Sequence, residues 1–581
     1  MRQAILAAVA AAFLPAMLHA AGAPVILISI DTLRADHLSA YGYRKLLTPH
    51  IDSFARDGTL FTAANAQIPL TLPSHMALFT STYPFETRIE ENGERVPSGP
   101  PTLAAILRDH GYKTAAFIGS CLLNREMGLD RGFDLYDSPF HIESGAAENP
   151  YSVRVRRDGA LVIRAARQWL DANRGQPVFA FLHLFDLHSP YSAPAAAGRS
   201  GATGYDAELA YVDQLMGRLR DALEQGGWWN RSLVILLSDH GESLGDHGEA
   251  SHGYFIYQST LHVPLLIHWP AGSGEHPARV TQPAGLMDVA PTALDFLQIP
   301  SPVAFHGTSL MHAVAHPIYS ESAYARDAFQ WAALRGLRQQ SIQYIQAPHP
   351  ELYDLAADPQ ETTNLYHSNS PEARPLEAEL AKLLAQFAPR RTSGAPEILP
   401  QMRTTLGSLG YLSGGAVAGA AGADPKDRLP EYNLYEKGLA ALYSGRFEAA
   451  IANFRDLLTH DARNALARYY LGDVFLRAGK PDDAIREWAA ALAYDPEYAP
   501  ADEAIGAVWF ARGDYEKARR FFDQAMAVAP NDFAAELELG LIDEREGRFK
   551  EALARIEGAC KVAPESLECG RPLQKLREEA K

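Results

Sequence analysis

Three short apolar segments of this sequence each end at residues that can bind a metal ion. The segments are Val25–Ile30, Val178–Leu182 and Leu233–Leu237, and the residues that follow them include Asp31, His183, Asp186, His188, Asp239 and His240. If the segments are neighbouring parallel strands, these side chains meet at the carboxyl edge of one sheet, where ligands bind in such folds. A buried carboxylate without a partner is costly, so a divalent cation is its natural companion. Taken singly, an aspartate after a strand is more often a helix cap, and it is the combination that favours a metal site.

Thr71 is the residue that could act as a nucleophile beside such an ion. Pro73 suits the first turn of a helix, which places Thr71 at or just before the helix N-terminus. Free N–H groups and the positive end of the helix dipole favour an anion at that position. A hydroxyl next to a divalent cation can lose its proton and attack phosphorus or sulfur. A simple N-cap role for Thr71 fits the local sequence equally well.

The elements that would position these residues predict a doubly wound α/β domain over residues 24–395. Short apolar runs alternate there with amphipathic stretches, which is the pattern of βαβ units. The runs are apolar throughout and do not alternate, as expected for a mostly parallel sheet that is covered by helices on both faces.

The C-terminal region, residues 431–581, is repetitive and predicts an all-α solenoid. Gly438, Gly472, Gly506 and Gly540 stand 34 residues apart, and other glycines, alanines and prolines keep the same step. This period, with small residues where helices cross and proline at the turn, resembles the tetratricopeptide repeat. We predict four repeats and a capping helix at Leu567–Ala580, preceded by a linker at 396–430 that includes the glycine-rich Ser413–Ala423. Such repeats bind a protein or peptide partner or a second copy of the chain.

The N-terminus and the net charge bear on location and partners. Arg2, an apolar stretch at Ile5–Leu18 and small residues after it predict a signal peptide at 1–23 and an exported, periplasmic or secreted protein. The alternative is an uncleaved anchor, which would give membrane contact. A formal charge of −17 disfavours nucleic acid as a partner, but it says little about a small anionic substrate.

Six segments resemble, in the same order, those of the sulfatase family in the alkaline-phosphatase superfamily. They are Asp31–Tyr43 with Thr48–Asp52, Thr71–His75, Phe181–Tyr191, Tyr205–Asp213, Ser238–His247 with His252, and Glu351–Pro359 with Glu361–Leu365. The resemblance covers about residues 24–395 and implies an alkaline-phosphatase-like sheet, an anionic ester as substrate and a divalent ion as cofactor. The ion could be calcium, manganese, zinc or magnesium.

The resemblance also implies a role for individual residues. By this resemblance Asp31, Asp239 and His240 bind the metal, and Thr71 contacts it as the nucleophile. His188 and His252 would hold the substrate anion or protonate the leaving oxygen. Arg34 is a further candidate for the anion site, although a surface salt bridge explains it equally well.

Three positions depart from the family pattern. Thr71 stands where sulfatases have the cysteine or serine that becomes formylglycine, His75 replaces an arginine, and Thr32 replaces a second aspartate. Formylglycine is therefore not expected, and a threonine ester fits phosphoryl transfer more readily than sulfuryl transfer. A second metal at Asp186, His188 and His252 is conceivable.

These observations predict a metal-dependent hydrolase of sulfate or phosphate esters that uses Thr71 as a covalent nucleophile. One alternative is a transferase that moves a phospho-headgroup onto an envelope glycan or lipid. The other is a repeat-based scaffold with an inactive sulfatase-like domain, against which the joint presence of Asp31, Thr71, Asp239 and His240 argues.

Overall fold

The computed structural model describes residues 22–387, apart from 97–98, 141–155, 192–202, 313–314 and 369, and then residues 422–562, apart from 531, and residue 573. An α/β domain is followed by a series of paired helices. Nearly all of the predicted signal peptide, most of the predicted linker and nearly all of the predicted capping helix lie outside the described residues.

The larger sheet of the α/β domain contains nine strands within the described residues. They are β1 (Val25–Ile30), β2 (Thr59–Asn65), β3 (Lys113–Phe117), β4 (Leu135–Asp137), β5 (Val178–Leu184), β6 (Leu233–Leu237), β7 (His262–His268), β8 (Arg279–Val280) and β9 (Ala284–Gly285). The helices of this domain are α1 (Pro49–Arg56), α2 (Thr71–Thr80), α3 (Pro84–Thr87), α4 (Leu103–Asp109), α5 (Gly159–Ala172), α6 (Tyr205–Gln225), α7 (Gln258–Leu261), α8 (Val289–Phe296), α9 (Tyr324–Phe329) and α10 (Ala373–Phe387).

The strand order of the larger sheet confirms the predicted mostly parallel, doubly wound fold. The order is β4-β3-β5-β1-β6-β7-β2-β8, with β9 also paired to β2. The first five strands in this order are parallel, whereas β7 is antiparallel to both β6 and β2. Strands β1, β5 and β6 are buried at every position, because helices cover both faces. The carboxyl ends of these three strands therefore meet at one edge.

A second, antiparallel sheet follows, which the sequence analysis did not predict. Its strands are β10 (Ile318–Ser322), β11 (Leu334–Gln339), β12 (Ile342–Gln346) and β13 (Glu351–Asp354), paired in chain order. One face packs against α10 through a separate apolar cluster that includes Leu337, Leu376 and Leu380. The other face contributes Leu334, Ile345 and Tyr353 to the main core, so both faces of this sheet are covered.

The C-terminal helices form antiparallel pairs, as expected for tetratricopeptide repeats. Within the described residues they are α11 (Leu429–Tyr443), α12 (Phe447–His460), α13 (Ala465–Arg477), α14 (Pro481–Tyr494), α15 (Ala499–Ala511), α16 (Tyr515–Val528), α17 (Phe533–Arg545) and α18 (Phe549–Val562). A Cβ atom at Gly472 would lie 2.3 Å from the Trp488 ring, so glycine is needed where the two helices of that pair cross. None of the helices described for this chain has the length and apolar character of a membrane span.

The repeats pack directly on the α/β domain. Phe329 of α9 meets Tyr435 of α11 edge to face, with ring centroids 5.1 Å apart. The end of the predicted linker takes part in this contact, because Ala332 N donates a hydrogen bond to Ala423 O and a 3-10 turn covers Pro425–Arg428. The last residues of the predicted linker therefore take part in the interface.

Candidate active site

Four of the residues predicted to carry the chemistry lie together at the carboxyl edge of the larger sheet. Asp31 follows β1, while Asp239 and His240 follow the adjacent parallel strand β6. Thr71 is the first residue of α2, and all four residues are 0% exposed. Thr71 Oγ1 lies 3.3 Å from Asp31 Oδ2 and 3.4 Å from His240 Nε2. The fold thus brings the predicted metal ligands and the predicted nucleophile into one cluster.

The donor atoms of this cluster fit a divalent cation. One ligand atom from each of Asp31, Asp239 and His240 lies within 4.8 Å of the others. Within the described part of the chain, Asp31 Oδ1 and Asp239 Oδ2 are buried without a hydrogen-bond partner. Burial and the negative charge of Asp239 raise the pKa of Asp31 well above its ordinary value. Two buried carboxylates and an imidazole in this state need a positive charge, and oxygen and nitrogen donors suit manganese, zinc or magnesium.

The orientation of the His240 ring supports the same conclusion. His240 Nδ1 lies 2.9 Å from Gly241 O and donates to that carbonyl. The remaining nitrogen, Nε2, faces the two carboxylates, at 3.6 Å from Asp239 Oδ2 and 3.9 Å from Asp31 Oδ1, and is the nitrogen that can bind a metal. A backbone carbonyl that fixes the imidazole tautomer in this way is typical of metal-binding histidines.

Two further buried histidines, His75 and His183, flank the cluster. The sequence analysis placed His183 among the residues at the sheet edge that can bind a metal, but it gave His75 no role. His183 Nε2 lies 3.2 Å from Asp31 Oδ2, and His75 Nδ1 lies 3.7 Å from Asp239 Oδ2. His75 Nδ1 is also 2.7 Å from the carbonyl of Thr71 and must donate there, so this nitrogen is not free to bind a metal. Ligand atoms of His75, His183 and Asp239 also lie within 4.8 Å of one another. Burial lowers the pKa of both imidazoles to about 4. We infer that they are neutral donors that orient the carboxylates and the nucleophile backbone.

Asn92 is a second residue that the sequence analysis missed. Its Oδ1 accepts a hydrogen bond of 2.9 Å from the backbone N–H of Leu72, so the amide caps α2 next to Thr71. Asn92 is 2% exposed, and among the described residues its Nδ2 has no hydrogen-bond partner. An unpaired amide donor at a helix N-terminus favours an anion. Asn92 lies in a loop without strand or helix signals, and nothing in the sequence singles it out.

His188 and His252 lie beside the cluster, as the resemblance implies. The His252 ring centroid is 4.4 Å from that of His240 and 5.1 Å from that of His188. His252 Nδ1 lies 3.0 Å from Glu242 Oε1, so the carboxylate can fix its tautomer. The His188 ring stacks on Phe185 with a centroid distance of 4.4 Å. Burial lowers the pKa of His188 to about 3 and that of His252 to about 4.

Arg34 and Asp186 each form polar contacts with other residues of the α/β domain. The Arg34 guanidinium binds Asp36 at 2.7 Å and Asp246 at 2.8 Å, and it also donates to two backbone carbonyls. It therefore fastens the loop after β6 and is not available for a substrate anion. Asp186 Oδ1 accepts a hydrogen bond of 3.0 Å from Gly159 N at the start of α5. Asp186 Oδ2 is buried without a hydrogen-bond partner among the described residues, so the second metal site suggested for Asp186, His188 and His252 stays a prediction.

Family comparisons identify both parts of the chain. The family model described as Sulfatase matches residues 24–299, and the model for the C-terminal part of N-sulphoglucosamine sulphohydrolase matches residues 245–389. The tetratricopeptide repeat model matches three overlapping stretches, 435–502, 472–532 and 504–566. Together these matches cover both the α/β domain and the repeats.

Individual relatives have low sequence identity to this chain, but the alignments extend over long stretches of it. An ulvan-active sulfatase of Formosa agariphila is 24% identical over 63% of this chain and 81% of that protein. The steryl-sulfatase of Mus musculus is 26% identical over 49% of this chain and 64% of that protein. The crystal structure of a phosphonate monoester hydrolase of Agrobacterium radiobacter shares the fold, with a TM-score of 0.52 and 23% identity over 63% of this chain and 96% of that one. This chain therefore consists of a hydrolase domain of the sulfatase family followed by tetratricopeptide repeats.

Proposed function

We propose that this protein is an exported, metal-dependent hydrolase of sulfate or phosphate esters that uses Thr71 as a covalent nucleophile. The observation that carries the proposal is the position of Thr71 Oγ1, 3.3 Å from Asp31 Oδ2 and 3.4 Å from His240 Nε2, at the N-terminus of α2. A divalent ion held by Asp31, Asp239 and His240 would neutralise charge on the ester and make the Thr71 hydroxyl more acidic.

The side chains around Thr71 supply the remaining parts of a displacement reaction. Thr71 donates toward Asp31 Oδ2, which is the direction in which its proton leaves as the oxygen attacks sulfur or phosphorus. Asn92 Nδ2 and the N-terminus of α2 would donate to the non-bridging oxygens of the ester. His252 is held by Glu242 and has His188 beside it. Burial alone leaves its imidazole neutral, so it would take up a proton together with the anionic ester and then donate that proton to the leaving oxygen. Water then attacks the threonine ester and releases the acid.

The substrate class is an anionic ester, and phosphoryl transfer is favoured. The curated relatives above are sulfatases and the solved relative is a phosphonate monoester hydrolase, so both classes occur among similar proteins. A threonine ester lacks the aldehyde hydrate that lets formylglycine release sulfate by elimination. The repeats are proposed to bind a protein or peptide, or a second copy of the chain.

A panel of aryl esters tests the function directly. We expect the purified protein to hydrolyse 4-nitrophenyl phenylphosphonate or bis(4-nitrophenyl) phosphate faster than 4-nitrophenyl sulfate. A chelator should abolish the activity, and one of manganese, zinc or magnesium should restore it. Activity that survives complete metal removal would contradict the metal-dependent mechanism, and hydrolysis of the sulfate alone would contradict the preference for phosphoryl transfer.

Substitution of Asn92 tests the proposed anion site. Asn92→Asp keeps the oxygen that caps Leu72 but replaces the unpaired amide donor with a negative charge. We expect kcat/KM to fall at least about a hundredfold, as when a donor to a developing oxyanion is removed. The variant should still fold because the cap remains, but the new buried carboxylate should lower its melting temperature. Asn92→Ala, which loses both functions, is the matched comparison, and wild-type kcat/KM in Asn92→Asp would exclude Asn92 from the anion site.

A further inference from the structure

The first helix of the repeats, α11, contacts the segment that carries His252. The contact lies at Gly248, four residues before that histidine. Leu429, Tyr432 and Asn433 lie on one face of α11, because residues three and four apart are neighbours on a helix. Asn433 Nδ2 donates a hydrogen bond of 3.2 Å to Gly248 O. A Cβ atom at Gly248 would lie 2.7 Å from Leu429 Cδ2, so the helix rests directly on the backbone of this segment.

The same helix face holds the segment two residues after His252. The ring of Tyr254 stacks on that of Tyr432, with centroids 4.1 Å apart and planes at 9°. Tyr254 is 0% exposed, and its hydroxyl donates a hydrogen bond of 2.7 Å to Pro425 O, just before α11. Both flanks of His252 are therefore fixed by residues that precede or belong to the first repeat.

Glu436 lies on the same face of α11, on the side of the active site. It lies four residues after Tyr432, one further helical turn along the same side. Its Oε1 is buried without a hydrogen-bond partner among the described residues. Burial and the negative charge of Glu242 raise the pKa of Glu436 to about 8, as expected if the two carboxyl groups are near each other. Glu242 is the residue that binds His252 Nδ1 at 3.0 Å.

We propose that the first repeat positions His252 for proton transfer to the leaving oxygen, so that the repeat array is part of the catalytic unit. The inference rests on the proposed function, because it takes His252 as the general acid. Tyr432 is a positioning residue in this scheme, since it contacts Tyr254 and not the reacting atoms. Proton transfer requires hydrogen-bond distance to the leaving oxygen, so a small displacement of the His252 segment is costly.

Esters with different leaving groups distinguish a loss of proton transfer from a general loss of activity. An unsubstituted phenolate is a poor leaving group that depends on protonation, whereas 4-nitrophenolate leaves with little help. For the full-length Tyr432→Ala variant we expect kcat on a phenyl ester to fall about tenfold or more, and kcat on the matching 4-nitrophenyl ester to fall less than about threefold. Tyr432→Phe keeps the stacked ring and should behave as wild type, and Asn433→Ala should shift kcat on the phenyl ester in the same direction but less. Tyr494→Ala, on an exposed ring of α14, is the control.

Two further measurements separate this inference from the proposed function. His252→Ala should show the same selective loss on the phenyl ester; if it does not, His252 is not the acid and the mechanism above fails. If His252→Ala shows the loss and Tyr432→Ala does not, the positioning role of the repeat is overturned while the mechanism stands. Hydrogen exchange of residues 245–257 needs no substrate. Faster exchange in folded Tyr432→Ala supports the inference, and unchanged exchange contradicts it.

Discussion

Replacement of Thr71 by alanine is expected to lower kcat on the preferred aryl ester at least about a hundredfold, because the covalent route is lost. The alanine variant should keep its fold, since the Thr71 backbone still accepts from His75 Nδ1 and the Leu72 N–H is still capped by Asn92. The measurement is steady-state hydrolysis with saturating metal.

Thr71→Ser provides the matched control for this prediction. Serine keeps the hydroxyl and loses only a methyl group, so we expect it to retain much of the activity. Mass spectrometry of the α2 peptide after an acid quench should detect the modified residue in wild type and Thr71→Ser. Equal rates for wild type and Thr71→Ala would remove Thr71 from the mechanism.

Replacement of Asp31 by asparagine is expected to change the melting temperature, relative to wild type, in opposite directions with and without metal. Asp31 and Asp239 are buried together, and their like charges raise the pKa of Asp31. In chelator, Asp31→Asn should therefore melt at or above the temperature of the wild type, because one buried charge has been removed. On addition of manganese or zinc, wild type should gain several degrees by ligand binding, whereas the variant should gain little and stay inactive.

Asp186→Asn is the matched control, since Asp186 is a partly buried aspartate just after a strand but caps α5. It should keep the metal-dependent gain in melting temperature. Thermal unfolding with a titration of each metal measures both variants. A full metal-dependent gain in Asp31→Asn would show that Asp31 is not a ligand.

The parts of the site that follow directly from strands could be predicted from the sequence. Asp31, Asp239 and His240 come immediately after apolar runs, and parallel strands bring such residues to one edge. The direction of β7 could not be predicted, because a short apolar run fits either a parallel or an antiparallel neighbour. The repeats were predictable because glycine recurs every 34 residues where helices cross.

The parts that depend on long-range packing could not be predicted. Asn92 reaches α2 from a loop 20 residues away from Leu72, and no local pattern indicates that contact. Arg34 and Asp186 have side chains suited to an anion and a metal, and only their actual partners show that they serve other contacts. The contact of Tyr254 with Tyr432 joins two regions that a glycine-rich segment separates in the sequence, and no local pattern indicates it.

The close crossing of paired helices at Gly438, Gly472 and Gly506 makes successive units nearly interchangeable, because each rests on an aromatic ring supplied by its own second helix. In such an array stability is roughly a sum over units and their adjacent junctions. Duplication or deletion of one unit at the far end would lengthen or shorten the superhelix without altering the junction beside the enzyme. Evolution could thereby change the partner that the protein binds while the reaction that it catalyses stays the same.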